Sequence, residues 1–436
     1  MLFVLAQIAM SQARTGKGEA APSSSMFRGD LAHTGAYDGP AITALPKVKW
    51  AFKTGGAIFS SPAIVENLAY IGSTDGNLYA VDISDGRELW KFATKGRIVS
   101  SPAVATGTVF IESYDAKLYA IDARTGEQKW VFATGGERRF SARHIHGLQP
   151  DAESMPDPFD FYLSSPAVAN GLVYFGSGDG NVYAVDAASG SLKWKFTTGD
   201  VVHASPAIAG GLVLVGSWDT NSYALDAATG AERWRFKTGD DENTHNQMGI
   251  QSSAAVADGL VYFGCRDSKV YALDLKTGRQ VWAYNNKGSW VIGSPAVKDG
   301  TVYFATSDSA QFHAVDAKTG EERFSLTFAW PMFSSPTIAG QFVYLGSHEG
   351  KLLAIDVAAR KLAWTFQTDA SKQNGPALTL PDGKPNYRAA MTSPFYEDIV
   401  VGIRKMFSVG AILSSPAVVG GVIYIGSADG TLYALQ

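Results

Sequence analysis

Residues 164–199 run SSPAVANGLVYFGSGDGNVYAVDAASGSLKWKFTTG, and they decide the fold because the chain is built of copies of them. Four short runs, PAVA, LVYFG, NVYAVD and LKWKF, are parted by Asn-Gly, Gly-Asp-Gly and Ala-Ser-Gly. Alternating or β-branched runs bounded by such residues are strands joined by hairpins, so one unit predicts a four-stranded antiparallel meander. A lone sheet of that size cannot bury Trp194, and each unit therefore needs a neighbour of its own kind.

The neighbours recur at fixed intervals. Thirty positions separate Ser60 from Trp90, Ser100 from Trp130, Ser164 from Trp194, Ala204 from Trp234, Ser252 from Trp282 and Ser334 from Trp364. Gly293 to Phe324 takes one more, with an extra residue near Ser309-Ala310 and Phe in place of Trp. The eighth copy begins at Ser414 and stops at Gln436, after its third strand. Its missing strand stands at the other end, where Trp50 precedes Ser60 by the same ten positions that separate Trp90 from Ser100. An open array would leave strand edges unpaired, whereas exchange between the ends removes them. The expected fold is an all-β, eight-bladed β-propeller of four-stranded antiparallel blades, with residues about 46–55 completing the blade formed by 414–436. Each blade-to-blade joint is its own small core, so 26–436 need not divide into separate domains.

Composition agrees. The 46 Gly and 12% aromatics suit a turn-rich β protein, and a net charge of −4 offers no general attraction for nucleic acid or anionic membrane. A single cysteine, Cys265, excludes an internal disulfide framework. It occupies a slot that is Ser177 or Ser217 in other copies and reads as a buried serine substitute.

The chain opens with an apolar run, residues 2–10, followed by Ser11-Gln-Ala13, similar to the apolar region and cleavage site of a secretory signal, though no positive residue precedes it. The run is too short to span a bilayer. Residues 1–25 are therefore expected to be a signal-like leader and linker, and the protein periplasmic or secreted. Residues 26–35, which contain Arg28-Gly29-Asp30, are expected to pack as a loop under the ring, not to present an adhesion motif.

The form Ala-x-Asp-x-x-x-Gly-x-x-x-Trp, at Ala80–Trp90, Ala120–Trp130, Ala184–Trp194, Ala224–Trp234 and Ala272–Trp282, resembles the tryptophan-docking motif of pyrroloquinoline-quinone (PQQ) type propellers. That superfamily holds quinoprotein alcohol dehydrogenases and BamB-like envelope assembly factors. The resemblance covers roughly residues 26–436, and a shared propeller hosts enzymes and scaffolds alike.

Function must come from where the repeats break their rule. Insertions at about 135–163, 238–251 and 365–413 all join an outer strand to the next inner one, which places them on one face together with the turns between second and third strands. Loops on a rigid scaffold are where binding lives. Those turns carry an acid in every copy, Asp75, Asp115, Asp179, Asp219, Asp267, Asp308, Glu349 and Asp429, and such uniformity assigns them to turn stability. The residue before the acid varies, with Tyr114, Trp218, Arg266 and His348 replacing small residues. Just before the inner strand, His203 and Gln251 replace apolar residues.

These exceptions predict a site at the axial mouth formed by His203, Trp218, Gln251 and Arg266, roofed by His245, Trp290 and an insertion bearing Arg143, His144 and His146. An aromatic face beside a guanidinium suits a small planar or anionic ligand. The structural alternative is that Trp218 and Tyr114 pack under the insertions while the histidines bond loop backbone. His144-Ile-His146 with His203 or His245 forms a weak metal pattern, and Asp240-Asp241-Glu242 a weak Ca²⁺ pattern.

Three functions follow. The first is an exported non-catalytic binding or assembly propeller, acting as a monomer on an envelope protein, a glycan or a small ligand through the looped face. The second, implied by the resemblance, is a PQQ-dependent dehydrogenase using PQQ with Ca²⁺ to oxidise an alcohol or sugar. Against it stand the absence of an adjacent Cys pair, of a haem segment and of an assignable cation constellation. The third is a metal-assisted hydrolase or lyase.

Overall fold

A computed structural model describes residues 25–239 and 248–436. The apolar leader run, His245 and the 240–242 acids lie outside the described residues. Among those described, eight antiparallel four-stranded sheets follow one another along the chain. The third is representative: Ala167–Ala169, Leu172–Gly176, Asn181–Asp186 and Leu192–Thr197 pair in sequence order. Each inner strand neighbours the next, and the eighth neighbours the first, so the sheets form the blades of a closed ring. Closure occurs as the sequence requires, with Val48–Lys53 pairing antiparallel with Thr431–Leu435 as the outer strand of blade eight.

The repeated residues make the joints between blades. The Trp50 indole N–H donates to the Ile83 carbonyl at 2.8 Å, and the Trp90, Trp130, Trp194, Trp234 and Trp282 indoles make the same bond to the following blade. Each ring lies flat on a glycine. A Cβ at Gly230 would stand 2.6 Å from the Trp194 ring, and its φ of +74° already disfavours other residues. The turn acids also clasp neighbours. Asp75 accepts from the Gly55 and Asn77 amides and from the Tyr79 hydroxyl, and Asp179 and Asp219 repeat the pattern. Cys265 is fully buried, its thiol bonded to the Gly249 carbonyl at 3.5 Å, and burial pushes its pKa upward.

Around the axis, in seven of the eight blades the second serine of the Ser-Ser-Pro unit donates its amide to the hydroxyl of its counterpart in the next blade. The chain of bonds runs Ser61, Ser101, Ser165, Ser205, Ser253, Ser294 and Ser335, and Ser415 donates back to Ser61. The space these serines enclose is narrow, about 40 Å³, with Phe27 and Tyr162 among its walls.

Residues 25–42 form a belt on the face opposite the insertions. Carbonyls of Ser25, Leu31, Ala32, Thr34 and Gly35 accept from the inner-strand amides of Val104, Ile208, Val256, Val297 and Ile338, and Ala36–Tyr37 adds a parallel strand to blade seven. The Ile42 carbonyl receives the Trp364 indole. Arg28 is buried, bonded to the Pro295 carbonyl, so Arg28-Gly29-Asp30 is internal packing.

The first and third insertions meet over the looped face. Residues 368–413 fold into α1 (Asp369–Leu378), α2 (Tyr387–Ala390) and α3 (Tyr396–Phe407). Gln149 of the first insertion bridges to Phe395, and its carbonyl caps the Tyr396 amide. Phe161 of the first insertion packs edge-on against Phe407 of α3 at 5.6 Å. No helix among the described residues is long and apolar enough to cross a membrane.

Candidate functional site

The exceptions in blades four and five do come together, and the first insertion binds them. Arg266 is fully buried between two indoles, 4.3 Å above Trp218 and 4.2 Å from Trp290. Its Nη1 lies 2.5 Å from Asp157 Oδ2, while Nε and Nη2 donate to Gln251 Oε1 at 3.2 and 2.7 Å. Gln251 in turn donates to the Phe159 carbonyl. The far face of Trp218 is covered by Phe140, stacked at 4.4 Å. Both faces of the indole are thus covered, and each nitrogen of the guanidinium has a partner.

His203 is equally enclosed. Its Nδ1 stands 2.7 Å from Asp160 Oδ1 and its Nε2 2.9 Å from Glu137 Oε1, with all three side chains buried. Burial opposes a charged imidazole, but the two carboxylates outweigh it and raise the pKa to about 10, so the ring is cationic at neutral pH. Asp160 also accepts the Phe140 amide, and Glu137 the Gly178 amide. Six buried polar side chains, Glu137, Asp157, Asp160, His203, Gln251 and Arg266, therefore staple the first insertion to blades three, four and five.

The remaining sequence candidates are placed elsewhere. Tyr114 is buried beneath Arg97, whose guanidinium lies 4.1 Å from the ring centre. Arg143 and His144 are exposed on the insertion, His144 beside Asp151 at 2.8 Å, outside the buried cluster. The His146 side chain, like His245, lies outside the described residues. No group of three or more His, Cys, Asp or Glu side chains among those described is arranged to hold a metal ion.

Trp290 and His348 border a different feature, a cavity of about 370 Å³ under the helical insertion. Phe159, Pro331, Phe333, Met391, Ile403, Met406 and Phe407 make it mainly apolar, while Ser307, Asp308, His348 and Tyr387 add polar groups. Burial lowers the His348 pKa to about 3, so the ring is neutral, and its Nε2 is buried without a hydrogen-bond partner. A small, largely apolar ligand with one hydrogen-bonding group matches that lining.

Sequence reasoning missed Glu137, Asp157 and Asp160, which lie in an insertion with no repeat register to mark them. It also passed over Glu112, which did carry a signal: the same slot holds Gly72, Gly176, Gly216, Gly264, Ala305, Gly346 and Gly426 in the other blades. A Cβ at Gly72 would stand 2.3 Å from Ile98, and where other blades present Ile98 or Val202, blade two presents Tyr162. Burial, with Glu137 and Asp179 nearby, pushes the Glu112 pKa well above the carboxylate range, and its Oε1 has no partner.

Known structures share this architecture. BamB from Moraxella catarrhalis is 18% identical over 90% of this chain and 98% of its own, with a TM-score of 0.64. Quinohemoprotein alcohol dehydrogenase ADHIIG from Pseudomonas putida HK5 is 14% identical over 96% of this chain and 80% of its own, TM-score 0.69. A europium-containing methanol dehydrogenase is also 14% identical, over 96% and 98%, TM-score 0.69. At such identities the likeness is one of fold. A search of curated protein sequences finds no match. The family model described as outer membrane protein assembly factor BamB matches residues 38–149, 154–289 and 285–384. By that match, which spans well over half of its length, the chain belongs to the BamB-type family of PQQ-like repeat propellers.

Proposed function

We propose that the protein is an exported, non-catalytic binding propeller of the cell envelope, whose helical cap on the looped face receives a partner protein. One observation carries the reading: His203 and Arg266 at the axial mouth are spent on acids of the first insertion, fastening it to the ring, and the third insertion packed on it is where apolar surface is left uncovered. Leu380, Tyr387, Phe395 and Val401 are each at least 40% exposed on residues 378–401, whereas the exposed apolar residues of the blades stand singly on outer strands. The cavity beside His348 gives the same cap room for a small ligand.

The residues of the buried cluster and of the larger cavity do not fit PQQ with Ca²⁺. PQQ is a flat tricarboxylate and needs free cations beside an open aromatic slot. Here Arg266 and His203 are neutralised by Asp157, Asp160 and Glu137, and both faces of Trp218 are covered. The larger cavity offers a neutral His348 and the acidic Asp308, the wrong charge for a tricarboxylate.

The test is capture of envelope proteins on the immobilised chain, compared with Phe395→Glu/Val401→Glu. Both side chains are exposed, so thermal stability should hold while the captured protein is lost. Equal capture by both forms, or capture of nothing by either, would refute the proposal.

A further inference from the structure

Three arginines from three separate elements converge on one small pocket of the cap. Arg97 comes from the connection entering blade two's axial end, Arg139 from the first insertion and Arg404 from α3. With Phe59, Pro158, Phe161, Val400, Ile403 and Phe407 they enclose about 80 Å³. Several other arginines are matched to acids: Arg138 with Asp200, Arg233 with Asp226, Arg266 with Asp157, Arg323 with Asp316. Among the described residues Arg97, Arg139 and Arg404 have no carboxylate partner. Burial, and then the like charges of Arg139 and Arg404, lower the Arg97 pKa, while Tyr114 opposes that shift. Like charges held together without a counterion repel, and an apolar wall on one side weakens water's screening of that repulsion.

We propose that Arg97, Arg139 and Arg404 form a binding site for a phosphate group carried by a small molecule or a lipid headgroup. Three guanidinium forks suit the tetrahedral oxygens of a phosphate, and its near-double negative charge answers three cations better than the single charge of a carboxylate. Arg97 is held in place by its stack on Tyr114, so little ordering remains for binding to supply. Phe59, Phe161, Val400, Ile403 and Phe407 give an apolar body attached to the phosphate a surface to lie on. The site rests on the looped face being a binding surface, but not on the identity of any protein partner.

The experiment is calorimetric titration of the full chain at low ionic strength with inorganic phosphate, with dihexanoyl phosphatidic acid below its micellar concentration, and with acetate. Phosphate should bind at millimolar concentration and acetate much more weakly. Arg404→Ala and Arg139→Ala should each weaken phosphate about ten-fold or more, with Arg404→Lys intermediate. Tighter binding of the lipid phosphate identifies a headgroup site, and equal binding a free-phosphate site. Arg404 is exposed on α3, so its replacement should leave the melting temperature of the free protein unchanged. No heat with either phosphate, or affinities untouched in both variants, overturns the site. Absence of protein capture by the parent chain, with phosphate binding intact, would remove the partner reading alone.

Discussion

Replacing Arg266 by Met should release the first insertion from the ring without opening the ring. The guanidinium neutralises Asp157, satisfies Gln251 and fills the gap between Trp218 and Trp290, all with no exposure. Removing one partner of a buried ion pair destabilises by about 3–5 kcal/mol, because the other charge is left without compensation. Methionine keeps most of the contact area with the two indoles, so the electrostatic loss should dominate. Expressed as local opening, that energy is roughly a hundred- to several-thousand-fold faster amide exchange. Hydrogen exchange read by mass spectrometry should find the acceleration in residues 137–163, with the blades nearly unchanged. Adding Asp157→Asn should recover much of the protection, since it removes the orphaned charge. Unchanged exchange in the single variant, or a further loss in the double one, would refute the claim that this pair holds the insertion.

Three other outcomes are expected. His203 is raised from 6.5 to about 10 in the folded state, so its contribution is complete below pH 6.5 and drains as pH climbs toward 10; His203→Gln should lower the melting temperature near neutrality and flatten that alkaline decline. Glu112 has the opposite preference to an ordinary surface carboxyl, its folded form favouring the proton, so the stability it confers falls as pH rises through its folded pKa. Glu112→Gln should therefore gain in melting temperature over the parent as pH increases from 5 to 9, and a constant difference would argue against a buried neutral acid. Alanine at Gly230, where φ is +74° and the Trp194 ring leaves no room for a Cβ, should destabilise by about 1–3 kcal/mol in chemical denaturation. Alanine at Gly259, with a similar φ and nothing within 4 Å, should cost less, and equal losses would discount the ring contact.

The ring was legible because its determinants recur. Trp, Gly and Asp at fixed offsets, and a last copy short by one strand, leave few closed arrangements. The variable positions were legible too: Trp218, Arg266, His203 and Gln251 stand out against seven other copies. Their partners were not. Asp157, Asp160 and Glu137 lie in a stretch without a repeat to compare, and only folding shows that they answer the blade cations. The distance from sequence to site is therefore greatest where a residue's meaning depends on a loop's path. Glu112 is the instructive exception, since a carboxylate in a glycine slot can be read without coordinates.

The belt has a consequence for how the molecule forms. Residues 25–53 find hydrogen-bond partners as far along the chain as Val104, Ile338 and Leu435. During synthesis Val48–Lys53 must therefore wait, its edge unpaired, until the third strand of the last blade has emerged. Contacts between such distant stretches form slowly, and a waiting strand is open to capture by another copy. Locking the circle is then the final step of assembly, and a nascent chain stalled before residue 431 would carry seven finished sheets and a seam it cannot close.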